Sequence, residues 1–583
     1  MRRLALLVLL VLAPVLAAAP AWAGTPPAAT ATGTGGAAAS VDALATKTAL
    51  RALREGGNAV DATVAAAGVL GVVEPFSCGI GGGGFMVIRT ADGKVTTIDS
   101  RETAPAAMTP TSFFTGGEPL EFDDARFSGL STGVPGTVRG WERALGSYGT
   151  WSLGQALRPA IKVARKGFAV DETFAGQIED NAEAFAQVPS TAALYLDPDG
   201  TPLDVGTRLR NPDLAATYEA LARDGADALY TGPIAESIVD AVQHPPVTAG
   251  PETFQPGVMT ASDLAAYEAL ERDPTHSRFR GLDVFGMGPP SSGGTTVGEI
   301  LNILDGTDLG NGDRTRALHL FMEASALAYA DRGAYVADPA YVPVPERGLL
   351  SPDFAAVRRA LIDPGRAAPR PVAPGDPLPY DDVPPPVPVP SVQRVGSTTH
   401  LTVADAEGTV VSYTFTIEQI GGNAIVVPGR GFLLNNELTD FAIDDPSAPN
   451  RVEGGKRPRS SMSPTIVLRD GRPLLAIGSP GGASIITTVS QVLLDRLGLG
   501  ATLPAAIAAP RVSDRNSEDG AQAEPAFIAS PEGRALAGPY GHTLEEIDEL
   551  GAVAAVELLG DGRMLAAAEP VRRGGGAAGV VRP

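Results

Sequence analysis

The sequence holds very little cysteine: Cys78 stands alone among 583 residues, so no internal disulfide can form. With one cysteine and five scattered histidines (His244, His276, His319, His400 and His542), a zinc cluster of familiar ligand spacing is not expected. Cys78 itself, following Ser77, reads as a small buried residue rather than a nucleophile. Positive charge is also scarce. Lys and Arg number 45 against 67 Asp and Glu, a net charge of −22. A nucleic-acid partner is thereby disfavoured, because phosphates demand a basic footprint.

Long apolar runs are missing outside the N-terminus. There, Met1-Arg2-Arg3 leads into an apolar stretch from Leu4 to Ala19, shorter than the roughly 20 residues a membrane span needs. "AWA" before Gly24 is a small-residue cleavage pattern, so 1–23 reads as a secretory signal peptide cut after Ala23. No membrane span is expected after its removal, and a secreted or extracytoplasmic location follows. Residues 24–40, rich in Ala, Gly, Thr and Pro, read as a disordered tether.

What is present is a helical first part followed by hairpins. "ATKTALRALREGGNAVDATVAAAGVLGVVEP" predicts a helix, a Gly-Gly-Asn stop and a second helix capped near Asp61. Asp-Gly turns mark three hairpins: "FMVIRTADGKVTTID", "TIVLRDGRPLLAIG" and "AAVELLGDGRMLAAA". The segment 367–390 is too rich in proline for a helix or central strand and is expected to be exposed and semi-rigid. "GIGGGGF" (Gly79 to Phe85) contains a G-x-G-x-x-G match, but a helix precedes it and a strand follows. A dinucleotide site needs the reverse order.

The proline-rich tract runs into "STTHLTVADAEGTVVSYTFTI". With Ala406-Glu407-Gly408 as a three-residue loop and Gly408 in the left-handed position, residue i pairs with 814 − i. Side chains alternate along a strand. One face then carries Thr398, His400, Thr402, Ser412, Thr414 and Thr416, and the other carries Thr399, Leu401, Val403, Val411, Tyr413, Phe415 and Ile417. Thr398 and Thr416 stand side by side at the open end. Taken alone, this hairpin is most simply a half-exposed one with a Thr-rich solvent face. The alternative is chemical. A threonine at a chain terminus has its own α-amine as base, with a pKa of about 7.7–8.0. A cut between Ser397 and Thr398 would create such a terminus.

The chain resembles the γ-glutamyltransferase (γ-glutamyltranspeptidase, glutathione hydrolase) family from about Val41 to its end. The motifs are "REGGNAVDATVAAAGVLGVVEPFSCGIGGGGFMVI", "SRETAP", "GMGPPSSGG", "STTHLTV", "GFLLNNELTDF", "KRPRSSMSPTIV" and "GSPGGASIITTVSQ". The resemblance implies an α/β N-terminal-nucleophile hydrolase fold (an αββα sandwich), in which two stacked, mainly antiparallel sheets lie between helical layers. It implies self-cleavage into a large chain (41–397 after the tether) and a small catalytic chain (398–583), interleaved in one globule as a heterodimer. It places the nucleophile on Thr398, its supporting threonine on Thr416, and the oxyanion hole on the backbone N–H groups of Gly481 and Gly482. The substrate α-carboxylate falls to Arg101 with Ser460 and Ser461, and the α-ammonium to Glu437 and Asp440. The implied partners are glutathione and other γ-glutamyl compounds, with amino acid or peptide acceptors. No cofactor or metal is implied.

Two departures stand out. Glu418 occupies the place where the family most often has Asn, which adds a carboxylate beside Glu437 and Asp440. The segment from Phe441 to Lys456 is shorter than in lid-bearing members, which suggests a more open pocket. The rival readings are a relative that cleaves glutaryl-β-lactam or poly-γ-glutamate substrates, and a cleavage-dead secreted binding protein.

Overall fold

A computed structural model describes residues 28–248, 254–310, 312–384 and 396–582. The expected signal peptide lies outside the described residues, as does the end of the proline-rich tract from residue 385. Thirteen strands form two sheets joined through one shared strand. The first sheet runs Leu270–Arg272, Val95–Asp99, Gly83–Arg89, Val410–Thr416, Thr399–Asp405, the second half of Ala29–Ser40, then Ala577–Arg582. The second runs from the first half of Ala29–Ser40 through Met564–Ala568, Ala554–Leu558, Arg472–Gly478, Thr465–Arg469 and Leu282–Gly286 to Thr275–Phe279. Every pairing in both sheets is antiparallel. The three Asp-Gly hairpins form where they are expected.

Over residues 29–40, the shared strand corrects the reading of 24–40 as a disordered tether. Ala29–Ser40 pairs with Met564–Ala568 over its first half and with Thr399–Asp405 over its second. Gly35 and Gly36, at φ 81° and 121°, make the bend between the two sheets. A Cβ on Gly33 would lie 2.1 Å from the Arg582 carbonyl oxygen. Small residues are there because backbones close in on both sides, and a composition-based reading mistakes that requirement for disorder.

Helices cover the outer faces. Ala43–Arg54, Ala59–Val73 and Leu153–Lys166 share an apolar core with the first sheet that includes Leu401, Val403, Val411, Tyr413 and Phe415. Asn58 caps the second helix and closes a reciprocal capping box with Asp61. Gly293–Asp305, Arg314–Tyr335 and Ile485–Leu493 pack on the second sheet. Among the described residues, no helix is long and apolar enough to cross a membrane.

The start of the proline-rich tract is less exposed than expected. The Ala367 amide donates to the Tyr540 carbonyl at 2.8 Å, and Arg370 pairs with Glu323 and Asp514. The histidines are also less scattered than their spacing suggests. His319 Nδ1 and His542 Nε2 share a hydrogen bond of 2.8 Å, with Glu323 close by. This trio brings metal-ligand atom types together, yet each residue already has a protein partner: Asp363 for His319 and Arg370 for Glu323.

Candidate active site

The hairpin adopts the expected register, with Thr399 opposite Phe415 and Ala404 opposite Val410. Gly408 sits at φ 93°. Both faces are buried, not one. The hydroxyl face meets the second sheet: Ser412 donates to the Ile477 carbonyl at 2.9 Å, and His400 bridges Thr402 and Thr414. Burial pushes the His400 imidazole down to about 3, so it is a neutral bridge within the hairpin.

At the open end, the Thr416 hydroxyl donates to the Ser397 carbonyl oxygen at 2.6 Å, and the Thr398 hydroxyl donates to the same oxygen. The Ser397 amide donates to the Glu418 carbonyl at 2.5 Å, and the Glu418 amide donates to the Thr416 hydroxyl. Ser397 is thus held at its amide and at its carbonyl, with two hydroxyls at the carbonyl oxygen. The hairpin register places Thr416 beside Thr398. In the intact chain it bonds the carbonyl that Thr398 would attack.

The Gly-rich segment seats Thr416. Gly83 pairs with Thr416, and a Cβ on Gly82 would lie 1.9 Å from the Thr416 carbonyl oxygen. These glycines serve backbone approach between strands. Gly481 and Gly482, at φ 133° and 53°, lead into the helix Ile485–Leu493. A Cβ on Gly482 would lie 2.1 Å from the Gly396 amide nitrogen, two residues before Thr398. Unpaired amides at a helix start suit a developing oxyanion.

A cavity of about 20 Å³, room for about one water, is lined by Arg101, Thr398, Thr416, Glu418, Glu437, Asp440, Ser460, Ser461 and Gly482. Gly481 instead lines a neighbouring cleft that shares Gly396 and Ser397 with this pocket. All ten residues singled out in the sequence therefore surround the Ser397–Thr398 bond.

Arg101 is fully buried and pairs directly with Glu437 and Asp440. It also donates to the Pro458 and Arg459 carbonyls at 3.1 Å. The residues expected to hold opposite ends of a substrate thus pair with one another in the intact chain. Burial works against the Arg101 cation, but Glu437 and Asp440 more than offset it and hold its pKa above the ordinary value. Burial pushes Glu437 up to about 7 despite Arg101. Burial also raises Glu418 well above the carboxylate range, with Asp440 and Glu437 adding to the effect. One guanidinium cannot neutralise so many carboxyls, so the cluster retains protons.

Sequence reasoning missed two members. Glu102 is buried with both oxygens lacking a hydrogen-bond partner, 4.0 Å from Arg101. Its signal was adjacency to Arg101 in "SRETAP". Arg332 donates to the Ser461 hydroxyl at 2.9 Å and to Ser292 at 2.7 Å. Nothing in its helical context marks it. Ser460 uses its hydroxyl to accept from the Met462 amide at 3.1 Å.

Two sheets between helical layers, with a buried threonine at the head of a central strand, define an N-terminal-nucleophile hydrolase. The γ-glutamyltranspeptidase family model matches residues 45–580. The glutathione hydrolase proenzyme of Bacillus subtilis (strain 168) is 41% identical over 488 residues, covering 82% of this chain and 81% of the relative. That of Escherichia coli (strain K12) is 37% identical over 552 residues, covering 92% and 90%. The crystal structure of cephalosporin acylase from Bacillus halodurans superposes with a TM-score of 0.82 at 26% identity, covering 98% of this chain and 99% of that one. The chain belongs to the γ-glutamyltranspeptidase family.

Proposed function

We propose that the chain cuts itself between Ser397 and Thr398 and that Thr398, then N-terminal, is the acyl-transfer nucleophile. The convergence of the Thr398 and Thr416 hydroxyls on the Ser397 carbonyl carries this reading. The Thr398 oxygen attacks that carbonyl carbon, the peptide C–N bond breaks, and the nitrogen becomes the free α-amine. Water then opens the ester, leaving Ser397 as a carboxylate. The protein is a γ-glutamyltransferase and glutathione hydrolase. Thr398 attacks the γ-glutamyl amide, its α-amine carries the proton to the leaving amine, and Gly481 and Gly482 hold the oxyanion. Water or an amine takes the acyl group.

For substrate recognition, Arg101 exchanges one acid partner for the substrate α-carboxylate, flanked by Ser460 and Ser461. The released carboxylate and its neighbour, drawn from Glu437 and Asp440, face the α-ammonium. Export with cleavage after Ala23 completes the proposal. N-terminal sequencing of the smaller fragment tests the cut: it should begin at Thr398, and a fragment beginning at Thr399 overturns the assignment.

The acylase reading keeps two supporting observations, the likeness to cephalosporin acylase and the extra carboxylate of Glu418 in the pocket. Release assays on γ-glutamyl and glutaryl anilides separate the two. A γ-glutamyltransferase requires the α-ammonium that the glutaryl compound lacks.

A further inference from the structure

The neighbouring cleft, about 460 Å³, opens onto Gly396 and Ser397 and is lined by Arg573, Gly481 and Gln419 among others. Arg573 is set apart from its neighbour Arg572. Arg572 is clamped between Glu524 and Glu569 and serves the core. Arg573 sits at φ 56°, a left-handed conformation that costs a non-glycine residue energy, and its amide donates to Glu549 at 3.0 Å. Its guanidinium rests on hydroxyls. Nη1 donates to Ser397 Oγ at 3.2 Å, and Nη2 donates to Ser77 Oγ. Among the described residues its nearest carboxylate is Glu74, 4.0 Å away.

We propose that Arg573 receives the carboxylate of the acyl acceptor, an amino acid or short peptide, in this cleft beside Thr398. The inference rests on the acyl-transfer reading above and deepens it. Ser397 is the residue that self-cleavage disconnects from Thr398. Once it withdraws, Nη1 faces the path to the nucleophile with a planar fork suited to a carboxylate. The lining also carries Glu172, Asp180 and Glu549, so the cleft offers both signs of charge to a zwitterion. In the transfer step the acceptor nitrogen attacks the enzyme ester. A new amide C–N bond forms, the C–O bond to Thr398 breaks, and the amine proton ends on Thr398 Oγ. The competing occupant of Arg573 is the new Ser397 carboxylate itself.

The test uses the mature two-chain enzyme with γ-glutamyl-p-nitroanilide as donor. Glycylglycine and its C-terminal amide serve as acceptors, compared by the acceptor kcat/KM. Wild type should favour glycylglycine at least tenfold, Arg573→Gln should erase that preference, and Arg573→Lys should keep part of it. A preference below twofold in wild type overturns the inference, as the Ser397 carboxylate would then hold the site. An undiminished preference in Arg573→Gln also overturns it. If Arg573→Gln remains uncut on a gel, the wild-type ratio and Arg573→Lys decide alone, with an undiminished preference in the lysine variant counting against the inference. Anilide release without acceptor is read separately: its absence removes the γ-glutamyl reading, whereas its presence without acceptor preference removes only this one.

Discussion

Thr398 and Thr416 face each other across the open end of one hairpin, and both hydroxyls end on a single acceptor, the Ser397 carbonyl oxygen. When Thr398 attacks, its proton must leave, and Thr416 remains as donor to the oxygen that gains charge. Removing one such donor typically costs about 10²–10³ in rate. Thr416→Ala should therefore fold but slow precursor conversion by about that factor, and Thr416→Ser should recover much of it. The half-time of conversion on a denaturing gel is the measurement. An unchanged half-time means Thr416 is a bystander.

Gly482 has no room for a side chain. Its Cβ would lie 2.1 Å from the Gly396 amide nitrogen, and its φ of 53° costs an L-residue roughly 1–2 kcal/mol. Gly482→Ala should push the scissile segment away from Thr398, so the chain accumulates as one uncut band. Its melting temperature should fall by only a few degrees, since the strain is local. Wild-type conversion in this variant would show that the Gly396–Gly482 contact plays no part in the cut.

The hairpin was legible because its loop determines its pairing. Once Gly408 is left-handed, every partner follows by arithmetic, and Thr398 and Thr416 meet. The motif residues converge because each is named by a contiguous run. Ala29–Ser40 was not legible, since small residues that let three backbones approach look the same as those of a flexible tether. Arg573 and Arg332 were hidden for another reason. Their roles come from contacts with Ser397 and Ser461, more than a hundred residues away in the chain, and no local periodicity carries that information. The His319–His542 bond was hidden in the same way.

The buried acids predict how stability depends on pH. Burial holds Glu437 at about 7 in the folded chain, against an ordinary value of 4.5. The folded state therefore binds more protons than the unfolded state between these values. Stability from this group is fully present below about 4.5 and is lost as pH rises through about 7. Glu418 and Glu102, also raised by burial, act in the same direction. An uncleavable Thr398→Ala chain should melt at lower temperature at pH 8 than at pH 5.5, and Glu437→Gln should flatten that slope. A melting temperature that rises across this range contradicts the protonated cluster.

Glu418 is the residue whose change should improve the protein. It adopts φ 80°, a left-handed conformation that asparagine tolerates far better than glutamate. Its carboxylate accepts from Asn436 at 2.5 Å and from Gln419 at 3.1 Å, yet it lies among carboxyls that share one arginine. Backbone strain and charge repulsion both work against it. Asparagine, the residue the family most often carries here, relieves both. Glu418→Asn should raise the stability of the uncut Thr398→Ala chain by about 0.5–1 kcal/mol through the backbone alone. In the mature enzyme it should raise kcat/KM for γ-glutamyl anilide several-fold, because removing the carboxyl relieves like-charge repulsion toward Glu437 and Asp440, which face the substrate ammonium. It should leave hydrolysis of glutaryl anilide no better, since that compound brings no ammonium for Glu437 and Asp440. A fall in γ-glutamyl kcat/KM would mean that the Glu418 carboxylate itself holds the ammonium. A rise in stability without any kinetic change would mean that only the backbone strain is real.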